Sequence, residues 1–269
     1  MKNFPLTILL VFVLFSCSDE DPFKNSKVRI IAHAGYWNVD NSCQNSLSSL
    51  QNSIRLNVYG SEIDVRITKD SIVVVSHNKT VNGRLYQDTY YDDIKDLKLP
   101  NGERIPLLSD LLEAIREETI RLVIEVKQYD ELETELLAAE KTVEIVNLLG
   151  LQAKVDYISW SFEICKKIAE LNPTANIAYL SSLEKADMLI TDYGYKSPSE
   201  LKRYGINGLD YTLDLLMRHP ECIQEAHNLG MTVNCFTLNS EIDIINALYM
   251  DVDYITTDNP VLCNTILKR

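Results

Sequence analysis

Short runs rich in Val, Ile and Leu recur along the chain at 28–32, 61–67, 72–76, 122–126, 155–160, 176–180, 208–211, 232–236 and 253–256. Each has the length and the β-branched content of a strand. Longer stretches between them carry apolar residues at helical spacing, as Leu47, Leu50 and Ile54 do within 44–56. The stretch 132–149 stops at Gly150, a natural C-cap. Ser197-Pro198-Ser199-Glu200 reads as a capping box with Pro at the first helical position, opening a helix that ends near Gly205. Ser240 opens another that runs to about Met250. Apolar strands alternating with helices predict a parallel sheet covered by helices. Eight or nine such strands predict one α/β domain over 28–269, a (β/α)₈ TIM-type barrel.

One connection departs from that rhythm. Only Thr68-Lys69-Asp70-Ser71 separates Ile67 from Ile72, whereas a parallel crossover needs about a dozen residues. The second and third strands are therefore expected to form an antiparallel hairpin, which makes the barrel slightly irregular. With Lys69-Asp70 as a two-residue turn, Glu62 would face His77 across that hairpin.

Composition narrows the choice of function. Of 269 residues, 46% are apolar and 24% charged, which excludes a disordered, collagen-like or multi-span membrane protein. Lys and Arg number 26 against 39 Asp and Glu, a net charge of −13 that would repel nucleic acid. A small anionic substrate then needs a local cation to reverse the field. Residues 1–16, with Lys2 followed by an apolar run from Leu6 to Phe15, have the shape of a secretory signal and are too short to span a bilayer. The Cys17 that ends the run resembles the lipidated cysteine of a bacterial lipobox. That resemblance implies cleavage before Cys17 and a lipid on its thiol, with 17–27 as a tether. The acidic Ser18-Asp19-Glu20-Asp21 resembles surface-export signals of some Gram-negative lipoproteins. The chain is thus expected to be exported and held at the outer membrane by its N-terminal lipid alone; the alternative is a plain secretory signal with a chance cysteine. Five cysteines remain beyond Cys17, with no C-x-x-C spacing, and read as buried free thiols rather than a zinc site.

Barrel active sites lie at the C-terminal ends of strands. The first strand ends at His33, the second carries Glu62 and Asp64, the third ends at His77, and the fourth carries Glu125 and Lys127. Glu62 and Asp64 are two apart, so both point to one face of their strand. Two inward carboxylates repel unless a cation joins them, and Glu125 adds a third. Three carboxylates suit one hard divalent cation, Ca²⁺ or Mg²⁺, better than zinc. His33 and His77 beside it are candidates for general acid and base. His219 and His227, near Pro220 in a helical stretch, read as surface or structural.

The ordered set Ile31-Ala32-His33-Ala34-Gly35, Gln44-Asn45-Ser46, Glu62-Ile63-Asp64-Val65 with Thr68-Lys69-Asp70, Val74-Val75-Ser76-His77 and Ile124-Glu125-Val126-Lys127 resembles the glycerophosphodiester phosphodiesterases. Trp160-Ser161-Phe162, Phe236-Thr237 and Ile255-Thr256-Thr257-Asp258-Asn259-Pro260 continue the likeness to about residue 260. The resemblance implies a TIM-type barrel that hydrolyses phosphodiesters of glycerol with a divalent cation. It places Glu62, Asp64 and Glu125 as metal ligands, His33 and His77 as the acid–base pair, and Lys127 on the phosphate. Phe162 and Phe236 are candidates for an apolar wall around the glycerol or its alcohol, or else plain core. The chain departs from the family's usual pattern at Ala34 (commonly Arg), Asn78 (commonly Asp) and Gln44 (commonly Glu). Residues 78–106 leave no room for a large inserted domain. Two other outcomes fit the same residues: a surface lipoprotein that binds a phosphorylated ligand without turnover, and a lyase that stops at a cyclic phosphate.

Overall fold

The computed structural model describes residues 27–184 and 194–268. The expected signal sequence, Cys17 and the expected tether up to residue 26 lie outside them. Eight parallel strands close into a barrel: β1 (Arg29–Ala32), β2 (Gly60–Ile67), β6 (Arg121–Val126), β7 (Val155–Ser159), β8 (Asn176–Ser181), β9 (Gly208–Thr212), β10 (Thr232–Phe236) and β11 (Tyr254–Thr257). Closure comes from β1, which pairs with β11 on one side and β2 on the other. A ninth strand, β3 (Val73–Val75), runs antiparallel to β2.

The helices lie outside. They include α1 (Leu47–Leu56), α2 (Leu108–Ala114), α3 (Leu132–Leu149), α4 (Phe162–Leu171), α5 (Pro198–Arg203), α6 (Leu213–Arg218), α7 (Glu221–Asn228), α8 (Glu241–Tyr249) and α9 (Pro260–Ile266). Their ends follow local chemistry. Ser197 accepts a hydrogen bond from Glu200 N with Pro198 next in the chain, Ser240 accepts from Asp243 N, and Gly150 closes α3 at φ 68°.

Strands covered on both faces are buried throughout, as all eight residues of β2 are. Ile63, Val65 and Ile67 alternate outward into the main core beneath the helices, with Leu122, Ile124, Tyr157, Tyr179 and Tyr211 from neighbouring strands. Burying each such side chain contributes about 1.5–3 kcal/mol. A smaller inner belt of Ile31, Val123, Ile158 and Leu180 fills the barrel itself. Gly208 is required there, because a Cβ would stand 2.8 Å from that of Ala178.

The β2–β3 hairpin corrects the expected register. Val65 lies opposite Val75 and Arg66 opposite Val74, and Ser76 N donates to the Asp64 carbonyl at 2.9 Å. The partner of Asp64 is thus Ser76, one residue away from the pairing that sets Glu62 against His77. The turn is longer than two residues. Thr68 and Ile72 close it, through Thr68 N to Ile72 O and Ile72 N to Thr68 Oγ1, and Ser71 takes a left-handed φ of 63°. A three-residue loop with a left-handed third residue is a standard hairpin solution.

Residues 78–106 form more than a connection. They hold a small hairpin of β4 (Thr80–Val81) and β5 (Arg84–Leu85), turned at Asn82-Gly83, with both turn residues at positive φ. Val81, Tyr86, Ile94 and Ile105 pack with Val74 into a satellite core of their own. The five described cysteines are all unbonded; four are buried and Cys43 is half-buried.

Candidate active site

The polar strand ends gather at one mouth of the barrel. Asp64 on β2 stands directly beside Glu125 on β6 in the parallel register, and Glu62 lies two residues earlier on the same face. One carboxylate oxygen from each lies within 4.8 Å of the others. Their exposures are 2%, 1% and 8%. Lys127, two residues beyond Glu125, lays its Nζ 2.8 Å from Asp64 Oδ1 and 2.6 Å from Glu125 Oε1. Asn45 secures the same strand from the other side: its Nδ2 donates to Asp64 Oδ2 at 2.7 Å and its Oδ1 accepts from Asp64 N at 2.9 Å.

Glu62 is held differently. Its Oε2 accepts from Ala34 N at 2.7 Å, and Gly35 N donates to its carbonyl at 3.0 Å. This ties the loop after β1, and so His33, to β2. The loop can make both bonds because Ala34 and Gly35 take φ values of 50° and 77°. A Cβ on Gly35 would lie 2.3 Å from Ser49 Oγ, so only glycine fits. Glu62 Oε1 is buried with no hydrogen-bond partner.

Electrostatics at the triad are those that a cation would relieve. Burial and the neighbouring Asp64 push Glu62 up to about 8, and burial likewise raises Glu125. Burial also works against the Asp64 charge, but Lys127 and Asn45 outweigh it and hold that carboxyl below its usual range. Three buried oxygen donors, one lacking a partner, fit a hard divalent cation in both donor type and charge. Glu62, Asp64 and Glu125 would hold it.

Two histidines flank the triad. His33 Nδ1 donates to Asp258 Oδ1 at 2.8 Å. Burial opposes a charge on His33, yet the hydrogen bond to Asp258 and the field of Glu62 push it up to about 9. Asp258 is itself fixed by Trp37 Nε1 at 3.0 Å and Asn239 Nδ2 at 2.7 Å. His77 lies just past the end of β3, exposed on one side and partly enclosed on the other, and that partial enclosure together with Lys127 lowers its pKa.

Sequence reasoning assigned no role to Asn45 or Asp258, although both stand in the motifs quoted above. Asp258 follows Tyr254 and Thr256 on the inward register of β11, so the strand-end criterion that found His33 also points to it. Asp210, Asn234 and Thr256 were missed as well. They form a buried cluster inside the barrel, with Asn234 Nδ2 2.8 Å from both Asp210 Oδ1 and Thr256 Oγ1.

The two phenylalanines part company. Phe236 lies inside the barrel mouth, edge-to-face with Trp160 at 5.8 Å between centroids. Phe162 does not form an inner wall. Its ring packs in the outer layer against Tyr179 and Tyr204, with Lys196 Nζ 4.4 Å from its centre. It opens α4, and the first turn of that helix faces away from the barrel axis. Trp160, two residues earlier, takes the inward position. His219 stacks on Tyr195, and His227 bonds Asp253 Oδ2 at 3.1 Å, so neither belongs to the mouth.

A closed parallel barrel with a buried carboxylate triad and two histidines at its mouth is the arrangement of a barrel enzyme. The model of the glycerophosphoryl diester phosphodiesterase family matches residues 32–262, and the chain belongs to that family of phosphoric diester hydrolases. The chain is similar to a crystal structure of a glycerophosphodiester phosphodiesterase from Parabacteroides distasonis. The two are 37% identical with a TM-score of 0.83, over 90% of this chain and 97% of that one. A glycerophosphodiester phosphodiesterase from Caldanaerobacter subterraneus is 24% identical over 259 residues, covering 90% of this chain and 99% of its own. An Oleispira antarctica phosphodiesterase, solved in complex with the product sn-glycerol-3-phosphate, shares the fold at 20% identity and a TM-score of 0.74, over 90% and 97% of the two chains.

Proposed function

We propose that the chain hydrolyses glycerophosphodiesters to glycerol 3-phosphate and an alcohol, with one divalent cation at Glu62, Asp64 and Glu125. The carrying observation is the buried triad, with its oxygens within 4.8 Å and Glu62 Oε1 unpartnered, set between two histidines. When bound, the cation supplies positive charge that draws electron density from a non-bridging phosphate oxygen. Lys127 adds a second positive charge at the same carboxylates and would contact the phosphate. His33 and His77 form the acid–base pair. One takes the proton of the attacking water or glycerol hydroxyl, and the other returns a proton to the departing alkoxide. Asp258 holds the His33 ring by Nδ1 and leaves Nε2 for proton transfer. Phe236 and Trp160 give the mouth an apolar side against which the glycerol carbons rest.

The test is release of glycerol 3-phosphate from glycerophosphocholine, glycerophosphoethanolamine and glycerophosphoglycerol, with Ca²⁺, Mg²⁺ or EDTA. Product that requires metal, Glu62 and His33 is expected. A wild-type rate equal to that of His33→Ala would sink the reading. Ala34, buried where the family commonly has Arg, favours one second reading: capture of a phosphorylated ligand without turnover. Metal-dependent binding with no product is its signature, whereas a cyclic ester persisting in the phosphorus NMR spectrum would mark a lyase.

We also propose that the chain is exported and anchored at a Gram-negative outer membrane by lipid on Cys17. The support is the apolar run and acidic stretch around that residue. Incorporation of labelled palmitate that Cys17→Ser abolishes is the expected result; incorporation unchanged by that substitution would refute it.

A further inference from the structure

Beside His77 lies a cavity of about 430 Å³ that the catalytic scheme does not use. Its inner end is Asn45, the residue that holds Asp64, so it shares a wall with the carboxylate triad. From there it runs between the loop after β1 and the 78–106 segment. Trp37, Leu99 and Pro100 supply an apolar wall, and Gln44, Ser76 and Asn78 supply neutral hydrogen-bonding groups. Among the described residues, no carboxylate, lysine or arginine lines it. Trp37 is fixed by its Nε1 on Asp258, which also holds His33. The cavity therefore borders His77 directly and is linked to His33 through Trp37 and Asp258.

We infer that this cavity is the subsite for the alcohol arm of the phosphodiester, and that it selects an uncharged polyol over a cationic amino alcohol. The inference rests on the hydrolase reading above and names its substrate class. A phosphodiester has two arms, and a phosphate seated between the triad and His77 leaves one of them at the cavity's inner end. Neutral amides and hydroxyls on an apolar wall match the hydroxyls and carbons of a polyol. A quaternary or primary ammonium finds no counter-charge on that lining, so it gains less there than a polyol that can hydrogen-bond. Trp37 alone is one aromatic face, short of the cage that holds quaternary ammonium groups. The net charge of −13 attracts cations from afar, but salt screens that attraction beyond about 8–10 Å. Asn78 is the decisive position, since a carboxylate there would supply the missing partner.

The experiment compares kcat/KM of the full chain in detergent, with Ca²⁺ or Mg²⁺, for four esters. These are glycerophosphoglycerol, glycerophosphoinositol, glycerophosphoethanolamine and glycerophosphocholine. Calorimetric binding of the same four is measured alongside. The two polyol esters should lead by about three- to tenfold, the size of one ordinary hydrogen bond. Asn78→Asp should narrow or invert that ratio. Equal or better use of the cationic esters, or a ratio that Asn78→Asp leaves unchanged, would overturn the inference. If no ester is turned over but the polyol esters bind tighter, the subsite stands and the hydrolase reading falls. If nothing binds and nothing turns over, both fall.

Discussion

Replacing Asp258 by Asn removes one charge while keeping the side chain's shape. In the native site the carboxylate only accepts, from His33 Nδ1 at 2.8 Å and Trp37 Nε1 at 3.0 Å on one oxygen and from Asn239 Nδ2 at 2.7 Å on the other. An amide offers one accepting oxygen. If that oxygen stays on His33 and Trp37, the new NH₂ meets the Asn239 NH₂, donor to donor. Asn239 is not free to turn, because its Oδ1 already accepts from Asp258 N at 2.9 Å and Thr257 Oγ1 at 3.2 Å. The His33 bond falls from a charge-assisted one, worth about 1.5–3 kcal/mol, to a neutral one, worth about 0.5–1.5, a loss of about 1–1.5 kcal/mol or about 5–13-fold in kcat/KM. Stability supplies a second readout on the metal-free chain. His33 is pushed up to about 9, so its charged form stabilises the fold fully below about pH 6.5, and that contribution is lost as pH rises through about 9. In Asp258→Asn the loss should move to lower pH, and melting curves from pH 6 to 10 would show it. A variant within twofold of wild-type kcat/KM, with the same pH dependence of Tm, would refute the reasoning.

Glu62 titrates in the opposite sense from an ordinary surface acid. Its raised value of about 8 means that folding keeps a proton the unfolded chain has lost, so the metal-free fold weakens as pH rises from about 4.5 to 8. The rise in Tm on adding Ca²⁺ should therefore grow between pH 5 and 8, and Glu62→Gln should lose that growth together with at least tenfold in Ca²⁺ affinity by calorimetry. Gly35→Ala should cost about 2–3 kcal/mol by urea denaturation and lower activity with it, since the added Cβ collides with Ser49 and the φ of 77° is strained for alanine. Phe236→Ala should lower kcat/KM, whereas Phe162→Ala should cost about 1–3 kcal/mol of stability with KM unchanged; the reverse pattern would contradict the inward and outward placements of the two rings.

The barrel was legible because its strands are short, β-branched and alternate with capped helices. Strands β6, β7 and β10 fall within a residue of their predicted limits. The triad was legible for a related reason: period-two alternation forces Glu62 and Asp64 onto one face, and β6 supplies Glu125 at the same level. What sequence alone misplaced depends on geometry that residue type does not encode. The hairpin register turns on the left-handed φ of Ser71, a residue with no strong turn preference. Phe162 and Trp160 are both aromatic and two apart, but both lie past the end of β7, and the helix that starts at Phe162 rotates that ring outward. Asp258 and Asn45 act through hydrogen bonds to residues 225 and 19 positions away, which no local pattern announces.

The polarity of β1 has a topographic consequence. The strand begins at Arg29 and delivers His33 to the mouth, so the chain enters the barrel at the end remote from the active site. Anything attached ahead of residue 28 joins the molecule at its floor. With lipid on Cys17, the floor would face the bilayer and the mouth would look outward, like a cup standing on its base. An enzyme so anchored would draw on freely diffusing, deacylated headgroups arriving from the surroundings, and its products would leave into the same space without crossing the anchor.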